Sequence, residues 1–108
     1  MIVRVWRGLA RAGRAADYRH HLEARVFPEL ATMAGHRGAF LLQREAEGGT
    51  EVLAVTLWDS LDSIRAFAGD DIGRSVVEPE ARAVLAAFEE TAAHYEVALA
   101  MNAALPGA

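Results

Sequence analysis

The sequence contains no cysteine and no lysine among its 108 residues. The absence of cysteine excludes disulfide bonds, thiolate metal ligands and cysteine nucleophiles, so any chemistry depends on histidine, acidic, tyrosine and arginine side chains. All 11 basic residues are arginines, and 15 acidic residues outnumber them, which gives a formal net charge of −4. Such a surface repels phosphate on average, so neither a nucleic acid nor an anionic membrane is expected as a partner.

Long apolar runs are also missing. The longest, from residue 83 to residue 88, is far shorter than the roughly 20 residues that a membrane-spanning helix needs. Arginines interrupt the first 14 residues, so this segment lacks the continuous apolar core of a secretory signal, and a cytoplasmic location is expected. The length predicts one domain, over residues 1–100, followed by a C-terminal tail at residues 101–108.

Hydrophobic periodicity predicts a strand and then a long helix in the first third of the chain. Ile2–Arg7 is a short β-rich run with alternating side chains, and Gly8 closes it. Apolar residues recur at helical spacing over Arg14–Met33, which predicts an amphipathic helix. Pro28 lies inside this helix and lacks an N–H, so we expect a kink or a fresh helical start there.

The middle of the sequence predicts a β-hairpin. Ala39–Glu45 and Glu51–Trp58 read as strands, and a short connector that contains two glycines joins them. Apolar residues occupy both alternating sets of positions in the second strand, which indicates that both faces of the sheet are covered. Helices can cover only one face, so a homodimer built sheet to sheet is expected, and a charge at Thr56 or Ala54 should split it or unfold the chain.

The last third predicts two helical pieces and a strand. Helical spacing over Leu61–Phe67 gives the first piece, and a further helix that Pro79 opens is predicted to extend through Phe88. His94–Ala100 is predicted to be the last strand. The element order is therefore βαββαβ, which favours an α+β fold with a four-stranded antiparallel sheet and helices on one face, the ferredoxin-like arrangement.

Five segments stand out in this order: Ile2–Gly8, Gly35–Ala39, Thr56–Ser60, Ile64–Asp71 and His94–Val97. Together they resemble the antibiotic biosynthesis monooxygenase-like (ABM) family of dimeric α/β barrels. The resemblance implies a ferredoxin-like subunit, a dimeric α/β barrel formed by two sheets, and a pocket in each subunit between the sheet and the helices. It does not imply one reaction, because relatives include both cofactor-independent oxygenases of polyketide quinols and haem-degrading monooxygenases.

The residues typical of the haem-degrading relatives are absent. Those relatives carry an Asn on the first strand, a Trp on the helix after the third strand and a His shortly beyond it, whereas these positions fall here on Arg7, Phe67 and Val77. A phenyl ring cannot donate the hydrogen bond that an indole N–H gives, and a valine cannot ligate iron. The resemblance therefore implies no haem degradation, and no cofactor is expected.

A cofactor-free oxygenase needs a base for a substrate proton, a cation or donor for the resulting oxyanion, and aromatic walls. The candidate base is His94 and the candidate cation is Arg7, while the candidate aromatic walls are Trp6, Phe67, Trp58 and Tyr95. Each candidate also has a purely structural interpretation: a hydrogen-bonded histidine at a strand end, a salt bridge at the sheet edge, or an aromatic side chain in the core.

Two neighbouring histidines, His20 and His21, lie on the predicted long helix. Adjacent helical positions point about 100° apart, so the two imidazoles cannot bind one metal ion from one face. We interpret this part of the helix as solvated, and no metal site is expected.

The function that the sequence favours is a homodimeric, cofactor-independent monooxygenase that acts on a small aromatic or quinol-like compound. The alternative is a non-catalytic dimeric barrel that binds or senses a small ligand. Steady oxygen uptake with hydroquinones or anthrones that is lost in His94→Ala would support the enzyme. Binding without oxygen uptake would support the alternative.

Overall fold

The computed structural model describes residues 1–101, so the predicted tail lies outside the described residues except for Met101. One antiparallel sheet contains all the strands, which are β1 (Ile2–Arg11), β2 (His36–Ala46), β3 (Gly49–Trp58), β4 (Leu85–Phe88) and β5 (Ala93–Glu96). The strand order is β2-β3-β1-β4, and β5 also pairs with β1. The predicted α+β ferredoxin-like fold is confirmed.

Short helices cover one face of this sheet. The first helical run consists of α1 (Ala15–His21), a π-helical turn (Leu22–Val26) and α2 (Phe27–Leu30); later come a 3₁₀ turn (Asp62–Ile64), α3 (Arg65–Ala68) and α4 (Pro79–Val84). The π-helical turn comes directly before α2, whose first turn contains Pro28. The missing N–H of proline thus coincides with a fresh helical start, as predicted. No helix within residues 1–101 is both long and apolar enough to cross a membrane.

The β2–β3 hairpin is longer than the sequence predicts. Pairing extends to Ala46 opposite Gly49, so only Glu47 and Gly48 form the turn. Gly48 has a φ of 84°, a left-handed conformation that glycine adopts without a steric penalty. On its other side, β3 pairs with β1 along the whole length of both strands.

The end of the chain departs from the prediction. The last helix stops at Val84, and Leu85–Phe88 forms β4 against Gly8–Ala10 of β1. The last strand of the described residues is β5, which is shorter than predicted. It pairs with Ile2–Val5 of β1. A helix through Phe88 was therefore wrong, because the backbone groups along the free edge of β1 need partners and this requirement outweighs the helical preference of the alanines in β4.

Side-chain alternation along β1 and β3 separates the two faces of the sheet. The face covered by helices, called the helix-facing side, carries Arg4 and Trp6 on β1 and, opposite them, Thr56 and Ala54 on β3. The hydrophobic core lies on this side, in two clusters of buried residues around Trp6 and Trp58. A charge at Thr56 or Ala54 would therefore disturb the core and the helices, and would not reach the other face of the sheet.

The other face, called the open face, carries no helix from the described residues 1–101. Its apolar side chains are Val3, Val5, Leu9, Phe40, Leu42, Leu53, Val55, Leu57 and Tyr95, placed by the strand registers. Leu42 is 47% exposed and Tyr95 is 59% exposed. A contiguous apolar surface of this kind is typical of an interaction site.

Candidate functional site

A cavity, partly open to solvent, lies between the helix-facing side of the sheet and the helices. Strands β1 and β3 form its floor, and the first helical run forms one wall. Phe67 of α3 and the segment before α4 form the other wall. The lining residues are Arg4, Trp6, Tyr18, His21, Leu22, Val26, Phe27, Leu30, Ala54, Thr56, Phe67, Val76, Val77, Glu78 and Ala81. The apolar, aromatic lining with a few polar groups is typical of a small-molecule pocket.

Trp6 is a fixed part of this floor. Its indole Nε1 donates hydrogen bonds to Ser75 Oγ at 3.0 Å and to the carbonyl oxygen of Glu89 at 2.9 Å. Its ring centroid lies 6.3 Å from that of Tyr18, which belongs to the same hydrophobic cluster. A Cβ atom at Gly8 would come within 2.9 Å of the indole ring, so the glycine leaves the room that the ring occupies. These contacts hold the indole ring of Trp6 rigidly in the cavity floor.

Arg4 is the cation of the cavity, and it is only 4% exposed. Its Nη2 donates to the carbonyl oxygen of Arg74 at 2.8 Å, and its Cζ lies 5.4 Å from the ring centroid of Phe67. Its Nε is buried and has no hydrogen-bond partner among the described residues. Within residues 1–101, no ion pair includes Arg4. Burial lowers the pKa of Arg4 to about 10, so the guanidinium stays charged at neutral pH.

His21 and Tyr18 line the cavity from the first helical run. Both are buried, whereas His20 is exposed, so the interpretation of the histidine pair as a solvated face was wrong for His21. The reason is helical geometry, since positions three apart share a face and Tyr18 already marks the apolar one. Burial raises the pKa of the Tyr18 hydroxyl, which therefore stays protonated.

Trp58 lies outside the cavity lining, although Phe67 is part of it. The Trp58 side chain is fully buried, its ring stacks on Phe67 at a centroid distance of 6.3 Å, and its Nε1 donates to Thr56 Oγ1 at 2.8 Å. These contacts place Trp58 behind the cavity wall, where it supports Phe67 and Thr56.

His94 lies on β5 directly opposite Arg4, and therefore on the helix-facing side. It does not belong to the cavity lining, but its Nε2 is buried without a hydrogen-bond partner. Burial and, secondly, the charge of Arg4 lower the pKa of His94 below its usual 6.5. The imidazole is thus neutral at neutral pH, the form that a general base requires.

Arg7 and Tyr95 lie on the open face, so the structure does not bring them together with Trp6 and Phe67. Arg7 Nε donates to Glu51 Oε2 at 2.6 Å, and Glu51 Oε1 accepts from Arg44 Nε at 2.5 Å. The hydrogen bonds from Arg44 and Arg7 hold the pKa of Glu51 below its usual value. The strand register places Tyr95 opposite Val3 on this same face.

Two histidines, His36 and His94, should make the fold less stable in mild acid. Burial lowers the pKa of both below the 6.5 of a solvated histidine. As the pH falls through that value, the unfolded chain takes up protons that the folded chain resists, so stability is lost. We expect a lower urea midpoint at about pH 5.5 than at about pH 7.5, and a smaller difference in His94→Gln. An unchanged midpoint in the wild-type protein would contradict this.

No group of three or more histidine, cysteine or acidic side chains that could hold a metal ion occurs in the described part of the chain. The cavity therefore offers one cation, Arg4, one histidine, His21, and one carboxylate, Glu78, among aromatic and aliphatic walls. The sequence had indicated the aromatic walls Trp6 and Phe67, but not Arg4 or His21.

The profile of the antibiotic biosynthesis monooxygenase family matches residues 1–79. Comparison with curated proteins gives no match.

Similar folds occur in solved structures. A protein of Bordetella bronchiseptica provisionally described as an antibiotic biosynthesis monooxygenase is 20% identical, with a TM-score of 0.63 over 91% of this chain and 97% of that chain. A variant of SnoaB, a cofactor-independent oxygenase from Streptomyces nogalater, is 17% identical, with a TM-score of 0.64 over 93% and 95% of the two chains. A similarly described protein of Bacillus cereus is 14% identical, with a TM-score of 0.62 over 97% and 98%. At these identities the likeness shows a common fold.

Proposed function

Because the chain belongs to the antibiotic biosynthesis monooxygenase family, we propose that it is a cofactor-independent monooxygenase acting on a small aromatic or quinol-like compound. The observation that carries the proposal is the cavity on the helix-facing side, which combines aromatic walls with a buried histidine and a buried arginine. The shared fold with SnoaB, described as a cofactor-independent oxygenase, supports the same reaction class.

In such a reaction the substrate itself reduces oxygen. An anthrone is a suitable example, since loss of a proton gives an electron-rich anion that forms a carbon–oxygen bond with O₂. The resulting peroxide loses water, so the CH₂ carbon becomes a carbonyl, one oxygen atom stays in the product and the other leaves as H₂O. The electrons come from the substrate carbon, and the protein supplies a base, a dry pocket and charge stabilisation.

Two histidines are candidates for the base. His21 lines the cavity, whereas His94 lies beside Arg4 with a buried, unpartnered Nε2 and a lowered pKa. A base has to come within hydrogen-bond reach of the proton that it removes, directly or through one water molecule. Position in the cavity lining therefore favours His21, and the buried, unpartnered Nε2 beside Arg4 favours His94.

Oxygen uptake by metal-free protein with a panel of anthrones and hydroquinones tests the proposed function. We expect steady uptake, with the rate lowered by about 10²–10⁴-fold in His21→Gln or in His94→Gln, whichever residue is the base. His20→Gln is the matched control, because this neighbouring histidine is exposed, and it should leave the rate unchanged. Tight binding of these compounds without protein-dependent uptake would instead show a binding barrel.

We further propose that the open face packs against the open face of a second copy, giving the dimeric barrel that the family resemblance implies. The supporting observation is the apolar surface over β1, β2 and β3, which no helix of the described part of the chain covers. Arg7, Glu51, Arg44 and Glu89 form a group of alternating charges on this face, since Arg7 Nη1 also lies 3.7 Å from Glu89 Oε1. The arginine and glutamate charges in this group neutralise one another, so the face can be covered without leaving an unpaired charge.

A further inference from the structure

We propose that the cavity binds its ligand as an organic anion, an aromatic compound whose anionic oxygen pairs with the guanidinium of Arg4. This inference names a substrate class for the proposed function, and it rests on that function only in assigning the ligand to this cavity. It gives Arg4, and not Arg7, the task of holding the oxyanion.

The charge of Arg4 is buried, and no side chain within residues 1–101 supplies a counterion to it. A buried charge costs several kcal/mol unless a partner of opposite sign and hydrogen bonds compensate for it. Arg4 has one hydrogen bond, to the Arg74 carbonyl oxygen, and the face of Phe67, while its Nε has no partner. A carbonyl dipole and an aromatic ring orient the guanidinium, but neither neutralises it.

The other charged and titratable groups at the cavity do not neutralise Arg4 either. Glu78 is the one carboxylate in the lining, and it forms no ion pair with Arg4 within 4.0 Å in the described structure. His94 lies opposite Arg4 on the neighbouring strand, and a proton there would repel the guanidinium. No group in the lining therefore provides the negative charge, so a ligand has to bring it.

The geometry of the Arg4 guanidinium and its surroundings also defines the shape of a complementary ligand. A guanidinium presents a planar fork of donors that matches the oxygens of a carboxylate or the oxygen of a phenolate. The surfaces next to it are the rings of Trp6, Tyr18 and Phe67. The complementary molecule thus has a flat apolar body and one anionic oxygen group at its edge.

A chromogenic phenol tests the charge preference directly. 4-Nitrophenol absorbs differently as phenol and as phenolate, so its ionisation can be followed in the bound state at a pH where half of it is ionised in buffer. We expect added wild-type protein to increase the phenolate band, because Arg4 stabilises the anion, and added Arg4→Met protein to leave it unchanged or to decrease it. A decrease of the phenolate band with the wild-type protein would overturn the proposal.

A matched pair of ligands separates charge from packing. By isothermal titration calorimetry, wild-type protein should bind 2-naphthoate more tightly than the neutral 2-naphthamide, and Arg4→Met should weaken naphthoate binding by about 30-fold. Binding of naphthamide should change by less than about 3-fold, and Arg4→Lys should keep most of the preference for the anion. Glu78→Gln should bind naphthoate as well as or better than the wild-type protein.

Several results would contradict the anion site. Equal binding of naphthoate and naphthamide by the wild-type protein, or binding of neither, would show that Arg4 attracts no anion, and this measurement needs no variant. Equal loss of both ligands in Arg4→Met would show a role in packing alone. Absence of oxygen uptake together with a clear preference for naphthoate would remove the monooxygenase and leave the anion site standing.

Discussion

Replacing Leu42 with aspartate is expected to convert the proposed sheet-to-sheet dimer into a monomer. Leu42 lies on the open face and is 47% exposed in the single subunit, so a charge there should barely affect the fold of that subunit. In a sheet-to-sheet dimer the same carboxylate would be buried, and an unpaired buried charge costs several kcal/mol. The dissociation constant should rise by at least about 100-fold, measured by sedimentation equilibrium.

Gln43→Asp is the matched control for this experiment. Gln43 is the next residue on β2 and is exposed, with its side chain on the other face of the strand. The control should remain dimeric, with the same unfolding midpoint as the wild-type protein. A wild-type protein that sediments as a stable monomer would refute the sheet-to-sheet dimer, whatever the two variants do.

Replacing Trp58 with alanine is expected to lower the free energy of unfolding by about 3–5 kcal/mol, because the side chain is fully buried and the change leaves a large cavity. For a domain of this size that is a large part of the total stability, which is typically about 5–15 kcal/mol. Urea unfolding followed by circular dichroism gives the measurement, and the variant should be partly unfolded even at low urea concentration.

Trp58→Phe and Phe67→Leu complete this test. The phenylalanine at position 58 keeps a ring against Phe67 but loses the hydrogen bond to Thr56, so the cost should be about 1–2 kcal/mol. Phe67→Leu keeps an apolar side chain in the cavity wall. We expect it to reduce the free energy of ligand binding by more than it reduces the free energy of unfolding. A Trp58→Ala protein of wild-type stability that has lost ligand binding would instead place Trp58 at the ligand.

The fold was predictable because its strongest signals are local. The hairpin follows from two β-rich runs around a glycine turn, and the long helix follows from apolar residues at helical spacing. Leu85–Phe88 was not predictable in the same way, since its alanines favour a helix in isolation. Its strand conformation depends on the free edge of β1, which is a contact between residues far apart in the sequence.

The residues of the candidate site could be predicted from the sequence only in part. Strand periodicity already places Arg4 and Trp6 on one face of β1 and Arg7 on the other, so parity alone could have selected Arg4 as the cation beside Trp6. Helical spacing could likewise have placed His21 with Tyr18. No sequence pattern shows that the guanidinium of Arg4 lacks a carboxylate partner, because ion pairs depend on the packing of distant segments.

Oxygenation of an aromatic compound in the cavity is tested most directly by isotope incorporation. Metal-free protein is mixed with 1,8-dihydroxyanthrone under ¹⁸O₂, and the product is analysed by mass spectrometry with the protein-free reaction subtracted. We expect protein-dependent product that carries one ¹⁸O atom, and its loss in Ala54→Phe, which fills the cavity floor. Circular dichroism checks that this variant is folded. Product formation no faster than without protein, or unaffected by filling the cavity, would contradict the account.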